Sequence, residues 1–291
     1  MQLLPYILVV ISAFTHGIWN FLAKQGQNKD VFIGLSKVTE TAVFLVPFLI
    51  VLAISGFGDS RWYLFALLAA CFVFLNYFFL GQAYKRIDFS VAYPIARSSS
   101  LFLPILGYIF IDERLDWLGG LSIGLITVAV LGFQLESFEK QELARMWQRL
   151  MRPGIIFAFL AAFTVAAYTI WDKIAVTRIH PFLYFYSYTA ITALFYLGLL
   201  RANHTREEIL TEWRLKKGSI FAVAVLNTFT YLLVLIALIS SKATYVGALR
   251  QLSLVIGVFL GWRFLKEPLP LPRKLSVVLL VLGSGLIAFA K

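Results

Sequence analysis

The chain has 291 residues, 60% of them hydrophobic and only 14% charged. Soluble domains run near half apolar and a quarter charged, so a water-soluble globule of this size is excluded and lipid is the main solvent. The net charge of +11 does not call for nucleic acid, because the basic residues sit in short loops between apolar segments, where membrane orientation explains them.

A spanning helix needs about 20 mostly apolar residues. Ten segments meet that requirement, at 3–23, 31–54, 62–84, 90–111, 115–135, 154–176, 181–200, 218–240, 243–264 and 272–290. Only helices suit such runs, because backbone groups facing lipid must pair within their own segment. The predicted fold class is therefore an all-α integral membrane protein with ten transmembrane helices.

The first segment lacks the basic n-region and small-residue cleavage site of a signal peptide. It carries His16, Trp19 and Asn20 on one face by their i, i+3 and i+4 spacing. The second holds Lys37 one turn before Glu40. The third holds Cys71, which with no second cysteine forms no intramolecular disulfide, and Asn76 with Tyr77. The fourth holds Tyr93, Pro94 and Arg97; the fifth holds Gly120 and Gly124, spaced for close helix packing. No Cys/His cluster suggests a metal, and no cofactor is expected.

The longest polar stretch, 136–153, separates five segments from five. Leu135, Phe138, Leu143, Met146, Trp147 and Leu150 recur in it at roughly helical spacing with charges between them. This predicts an interfacial amphipathic helix, the alternative being a plain solvated linker. The sixth segment carries Tyr168, Trp171 and Asp172, and the eighth Asn227 and Tyr231. The ninth carries Gly247, Arg250, Gly257 and Gly261. The stretch 201–217 reads as a polar loop.

The two halves repeat each other. Ala13-Phe14-Thr15 matches Ala162-Phe163-Thr164 at the offset that sets Trp19 on Tyr168 and Lys24 on Lys173. Leu75-Asn76-Tyr77-Phe78 resembles Leu226-Asn227-Thr228-Phe229, Arg97 falls opposite Arg250, and Glu113 with Leu115 falls opposite Glu267 with Leu269. The expected organisation is a first five-helix repeat at 1–135, a linker at 136–153 and a second repeat at 154–291. An odd number of helices per repeat sends the second copy into the membrane from the opposite side. Inverted repeats of this kind recur in secondary transporters, with the substrate near the midplane between them.

His16-Gly17-Ile18-Trp19-Asn20 with Lys24, Ala92-Tyr93-Pro94-Ile95-Ala96-Arg97, and the acidic turns Asp112-Glu113-Arg114-Leu115 and Lys266-Glu267-Pro268-Leu269 carry a resemblance to a known family. The chain resembles EamA-type members of the drug/metabolite transporter superfamily over nearly its whole length. The resemblance implies two five-helix repeats and a cavity lined by helices 1, 3, 4, 6, 8 and 9, with helix 2 outside it. It implies transport of amino acids, sugars, nucleotide-linked metabolites or drugs, without choosing among them.

Ionisable groups at bilayer depth usually face the bundle interior. Arg97 and Arg250 each lie about seven residues, or about 10 Å, into their helices. In inverted repeats they would flank the midplane, offering donor forks to a carboxylate or phosphate. The structural alternative pairs Arg97 with Glu40 and Arg250 with carbonyls at a helix break. The substrate-binding candidates are His16, Trp19, Asn20, Asn76, Tyr77, Tyr93, Arg97, Tyr168, Asp172, Asn227 and Arg250. Asn and His also serve as glue between membrane helices. Glu40 and His16 are the proton-coupling candidates; for Glu40 a structural ion pair with Lys37 or Arg97 is the plainer reading.

The expected function is a secondary transporter moving a small polar metabolite, such as an amino acid or organic anion, by alternating access. The expected partners are a small-molecule substrate and the lipid bilayer, with no nucleic acid; a homodimer is compatible with the sequence. The alternatives are an exporter of cationic drugs, an enzyme, or a passive channel or scaffold. A lipophilic cation would want a deep carboxylate that helix 1 lacks, and an enzyme would need a nucleophile or metal constellation that is missing. Outside Lys37, Arg97 and Arg250, the loops after helices 1, 3, 5, 7 and 9 hold 17 of the other 23 Lys and Arg residues. The positive-inside rule makes that side cytoplasmic and both termini external, whereas the family resemblance implies cytoplasmic termini.

Overall fold

The computed structural model describes the chain except residues 24–25, 88–91, 93–94, 134, 141, 143–147, 149–153 and 267, and the side chains of Tyr84 and Leu265. Among the described residues every regular element is helical. The first half comprises α1 (Leu3–Ala23), α2 (Lys29–Ser55), α3 (Trp62–Tyr84), a 3-10 turn (Ser98–Leu101), α4 (Leu103–Ile111) and α5 (Trp117–Gly132). The second comprises α6 (Ile155–Val176), α7 (Pro181–Asn203), α8 (Arg206–Ser240), α9 (Ala243–Leu249), α10 (Leu252–Leu265) and α11 (Leu271–Ile287). Seven helical stretches, counting α9 and α10 as one, are long and apolar enough to cross a membrane. The predicted interfacial helix at 136–153 and Tyr93-Pro94 fall largely or wholly outside the described residues.

Helix ends follow local chemistry. Asn28 caps α2, its side-chain oxygen accepting from the Val31 amide at 3.3 Å. Asp116 caps α5 in the same way through the Gly119 amide at 3.0 Å. The stretch 201–217, read from sequence as a loop, is mostly helix. Thr205 and Glu208 form a reciprocal capping box that starts α8 twelve residues before its apolar run. At about 1.5 Å per residue, α8 is about 50 Å long and outreaches a bilayer core of about 30 Å.

Two helices are interrupted at matched places. After Ile95 and Ala96 the chain tightens at Arg97 into the 3-10 turn before α4. Between α9 and α10, i to i−3 bonds replace the α ladder: Gln251 N–H donates to Ala248 at 3.1 Å and Ser253 N–H to Arg250 at 3.2 Å. The carbonyls released by such a change of pitch are tolerated at membrane depth where they face protein or a cavity. The two interruptions meet, Gln251 Nε2 donating to Ser99 Oγ at 3.3 Å. Both interrupted helices end on a left-handed non-glycine residue, Asp112 at φ 48° and Lys266 at φ 54°.

Packing runs between the halves. α1 lies against α8 and α10, α3 against α6, α2 against α7 and α8, and α5 against α11. Alanines let α3 and α6 approach, with Ala66, Ala69, Ala70, Ala158, Ala161 and Ala162 all buried. Gly17 does the same for α1 and α10: a Cβ there would stand 2.6 Å from Ile256 Cβ and 3.2 Å from the Ser253 carbonyl. The glycine spacing in α5 and α10 does not serve this purpose. A Cβ on Gly120, Gly124 or Gly257 would meet nothing within 4 Å, because those faces do not carry the helix contacts. Large side chains such as Val46, Leu49, Ile50, Leu194 and Phe289 point outward, as lipid allows.

Polar bonds tie the halves together at both ends of the bundle. At one end the Met1 amine donates to the Ala290 carbonyl, and Lys242 Nζ to the carbonyls of Arg114 and Lys291 at 2.6 and 2.7 Å. Lys173 Nζ reaches the Leu238 and Ser241 carbonyls at 2.5 and 3.0 Å, closing the end of α8. At the other end Glu212, on the extension of α8, accepts from the amides of Gln27 and Asn28, both at 3.1 Å.

Candidate functional site

A cavity of about 480 Å³ lies between the halves. Its lining runs from Arg250, Ser99 and Tyr188 at mid-bundle to Ala23 and Lys29 at the end where α1 finishes and α2 starts. It gathers most of the predicted site: His16, Trp19 and Asn20 on α1, Asn76 and Tyr77 on α3, Arg97 before the 3-10 turn, Tyr168 on α6, Asn227 on α8, and Arg250 after α9. Tyr93 lies outside the described residues.

Asp172 is not on the wall. It is buried and accepts from Tyr184 Oη of α7 at 2.7 Å. A carboxylate four residues beyond Tyr168 has left the hollow and needs a donor of its own. Helices α2 and α7, expected outside the cavity or not considered for it, contribute Lys29, Ser36, Lys37, Glu40, Phe185 and Tyr188. The i to i+4 spacing of Lys29, Ile33, Lys37 and the neighbouring Ser36 and Glu40 on α2 is the signal that would have found that wall. Gln251 and Ser99, also on the wall, carry no pattern of their own; they arrive with the interruptions next to the two arginines.

Arg97 Nη2 and His16 Nε2 stand 3.1 Å apart. A guanidinium can only donate, so His16 Nε2 accepts, and the imidazole is neutral with its proton on Nδ1. His16 also stands edge-on to Trp19, with centroids 4.9 Å apart. Both Arg97 and Arg250 lie within electrostatic reach of His16.

Arg250 Nη2 donates to Tyr231 Oη at 3.4 Å, and its guanidinium carbon lies 5.1 Å from the centroid of that ring. The Tyr168 hydroxyl lies near Arg250 and Tyr231 in the same cluster. Arg250 is therefore held by a phenol hydroxyl and a ring face, groups that position a cation without cancelling its charge.

Glu40 is fully engaged. Its Oε2 pairs with Lys37 Nζ at 2.8 Å, and its Oε1 accepts from Asn227 Nδ2 and Thr228 Oγ1, both at 2.8 Å. Of the two arrangements the sequence allowed for its partner, the structure has Lys37 rather than Arg97. Asn76 likewise spends its amide on a neighbour, donating to the Ala161 carbonyl at 2.9 Å and bridging α3 to α6. Asn20 donates to the His16 carbonyl of its own helix at 2.7 Å.

Among the described residues, three buried polar atoms on this wall have no protein partner: Trp19 Nε1, Tyr188 Oη and Gln251 Oε1. Buried polar groups are ordinarily paired, with protein, water or ligand. Four cationic side chains, Lys29, Lys37, Arg97 and Arg250, and one carboxylate, Glu40, line the cavity among the described residues. Lys37 and Glu40 offset each other, and among the described lining residues cations outnumber carboxylates. Among the described residues no group of His, Cys, Asp and Glu could hold a metal ion.

A polar hollow wrapped by apolar helices defines a multi-pass membrane protein of the transporter class. The model of the EamA-like transporter family matches the chain twice, over residues 3–134 and 152–289, and the chain belongs to that family with its two-repeat architecture. A solved structure described as "Crystal structure of protein" superposes with a TM-score of 0.68 over 98% of this chain and 96% of that one, at 13% identity, a likeness of fold alone. No curated protein gave a match.

Proposed function

We propose that the protein is a secondary transporter that carries a small organic acid, as anion or zwitterion, across the bilayer by alternating access. One observation carries this reading: Arg97 and Arg250, at the matched helix interruptions of the two halves, line a single cavity. Charged guanidinium groups at bilayer depth are costly and therefore mark functional sites, and their donor forks suit carboxylate or phosphate. The rings of Trp19, Tyr77, Phe185 and Tyr188 offer apolar surface to the rest of the substrate. Gln251 Oε1 would welcome a donor such as an ammonium or hydroxyl group. A cationic drug fits poorly, because the one described carboxylate on the wall is already satisfied three times over.

In this reading all ten segments cross the membrane, and 1–135 and 154–291 are repeats of opposite orientation joined by 136–153. Support comes from Met1, Lys242 and Lys291 sharing one end of the bundle while Asn28 and Glu212 share the other. The cavity reaches the end that bears most of the basic loop residues, so by the positive-inside rule this conformer faces the cytoplasm. No nucleotide-binding loop is recognisable in the sequence, so an ion gradient or exchange supplies the drive.

A matched series isolates the charge requirement: 3-phenylpropanoate, phenylalanine, 2-phenylethanol and 2-phenylethylammonium, each tested by thermal shift on purified protein and by counterflow in proteoliposomes. The expected order is anion and zwitterion above the neutral alcohol, with the ammonium last. A shift and flux greatest for the ammonium compound would overturn the reading. Arg250→Gln should weaken binding of the anion by at least about 30-fold, the equivalent of about 2 kcal/mol.

A further inference from the structure

We infer that His16 is the proton-accepting residue that couples anion binding to proton uptake, with Arg97 as the switch between imidazole and substrate. The inference rests on the anion reading above. The geometry supplies the reasoning. His16 Nε2 is occupied as an acceptor by Arg97 at 3.1 Å, and while that bond stands the imidazole cannot take a proton there. An oxyanion entering between Arg97 and Arg250 is the stronger acceptor, because both partners of the new bond are charged. The Arg97 N–H then turns from His16 Nε2 to the substrate oxygen, and the vacated lone pair takes one proton from water. The new imidazolium is held by the same substrate anion. Without that anion it would face the Arg97 guanidinium at hydrogen-bond distance, a like charge with nothing between. Proton and anion thus favour each other by the same factor, as linkage requires.

Other groups on the wall do not offer the same exchange. The charged and titratable groups facing the hollow with His16 are Lys29, Lys37 and Glu40 from α2, Tyr77 from α3, Tyr168 from α6, Tyr188 from α7 and Tyr231 from α8, besides the two arginines. Glu40 is closed by an ion pair and two hydrogen bonds. The tyrosines start neutral and have no lone pair basic enough to take up a proton. His16 is the described group on this wall whose side-chain type titrates between pH 5 and 8 and whose present hydrogen bond an incoming anion would replace.

Calorimetric titration of 3-phenylpropanoate into the purified full-length protein tests this, in two buffers of different ionisation enthalpy between pH 5.5 and 8. The expected result for the wild type is uptake of about one proton per anion bound at the upper end of that range, with Kd rising toward about tenfold per pH unit there. His16→Gln keeps an acceptor for Arg97 but cannot titrate; it should bind the anion only as weakly as the wild type does at the alkaline end of the range, with no proton uptake and a flat pH profile. In liposomes whatever anion exchange it retains should not respond to an imposed proton gradient, whereas wild-type uptake should. Arg250→Gln, by contrast, should lose anion binding at every pH. Wild-type binding without proton uptake anywhere in the range overturns the coupling while leaving the anion reading intact, and so does uptake that persists in His16→Gln. No binding of the probe by the wild type at any pH removes the anion reading and the coupling with it. The wild-type proton count decides the matter even if the variant is unstable.

Discussion

Glu113 and Thr244 are joined twice across the two halves of the chain. Glu113 Oε2 accepts from the Thr244 amide at 3.0 Å and from its hydroxyl at 2.7 Å, while Oε1 accepts from the neighbouring Ala243 amide at 2.5 Å. An acidic turn after α4 thus caps the start of α9, where unpaired amides and the helix dipole both favour a carboxylate. The cap sits at the end of the bundle away from the cavity mouth, so the alternating access proposed above would require these bonds to break.

Removing this cap should therefore act on both stability and conformation. Glu113→Ala is expected to lower stability by about 1–2 kcal/mol, the usual cost of losing a helix cap. On the proposed mechanism it should also raise labelling of a cysteine placed at Thr244 in a Cys71→Ser background, because that end would open more often. A melting temperature and labelling rate unchanged from the parent would refute the role.

The pair Lys37 and Glu40 should behave as a buried ion pair. Glu40→Gln alone strands the ammonium group and is expected to cost about 3–5 kcal/mol. Adding Lys37→Met should restore most of that loss, because an apolar replacement of a buried pair is close to neutral. Thermal or denaturant unfolding in detergent checks the pattern. If the double variant is as unstable as the single one, Glu40 serves mainly through Asn227 and Thr228.

Two glycines make opposite predictions. Gly17→Val must force α1 from α10 against Ile256 and the Ser253 carbonyl, at about 1–3 kcal/mol. Gly257→Leu meets no neighbour within 4 Å but projects from the cavity wall. It should leave the melting temperature within about 2 °C of the parent, since small surface changes cost little, and should block counterflow.

Asp116 sets an acid limit on the end that the termini share. Burial pushes its carboxyl upward, but hydrogen bonds from the amides of Lys291 and Gly119 and from Tyr245, with the charge of Lys242, together hold it below the usual carboxylate range. A carboxyl with a depressed folded-state pKa stabilises fully above its unfolded value, about 3.9, and the contribution fades as pH falls through the lower folded value. Melting temperature should therefore drop below about pH 4 in the parent, and Asp116→Asn should flatten part of that slope. An identical slope in the variant would assign the acid transition to other groups.

Much of the site was legible because hydrocarbon makes polar residues conspicuous. His16, Trp19, Asn20, Arg97, Tyr168 and Arg250 stood out in apolar segments, and the cavity gathers them. Asp172 stood out equally and sits off the wall, since spacing along α6 says which side a residue is on but not how deep the hollow reaches. The α8 extension was legible in Thr205 and Glu208, a capping box inside a polar stretch that composition alone reads as loop.

Composition and repeat order alone determined the solvent, the helical class and the matched arginines, because lipid admits few structures and tolerates few charges. Which polar group holds which is a matter of tertiary structure. His16 meets Arg97 across 81 residues of chain, Glu40 meets Asn227 across 187, and Gln251 meets Ser99 across 152. Hydrogen bonds depend on a few tenths of an ångström, and only the packing of α1, α2, α8 and the two interrupted helices against one another sets distances that fine.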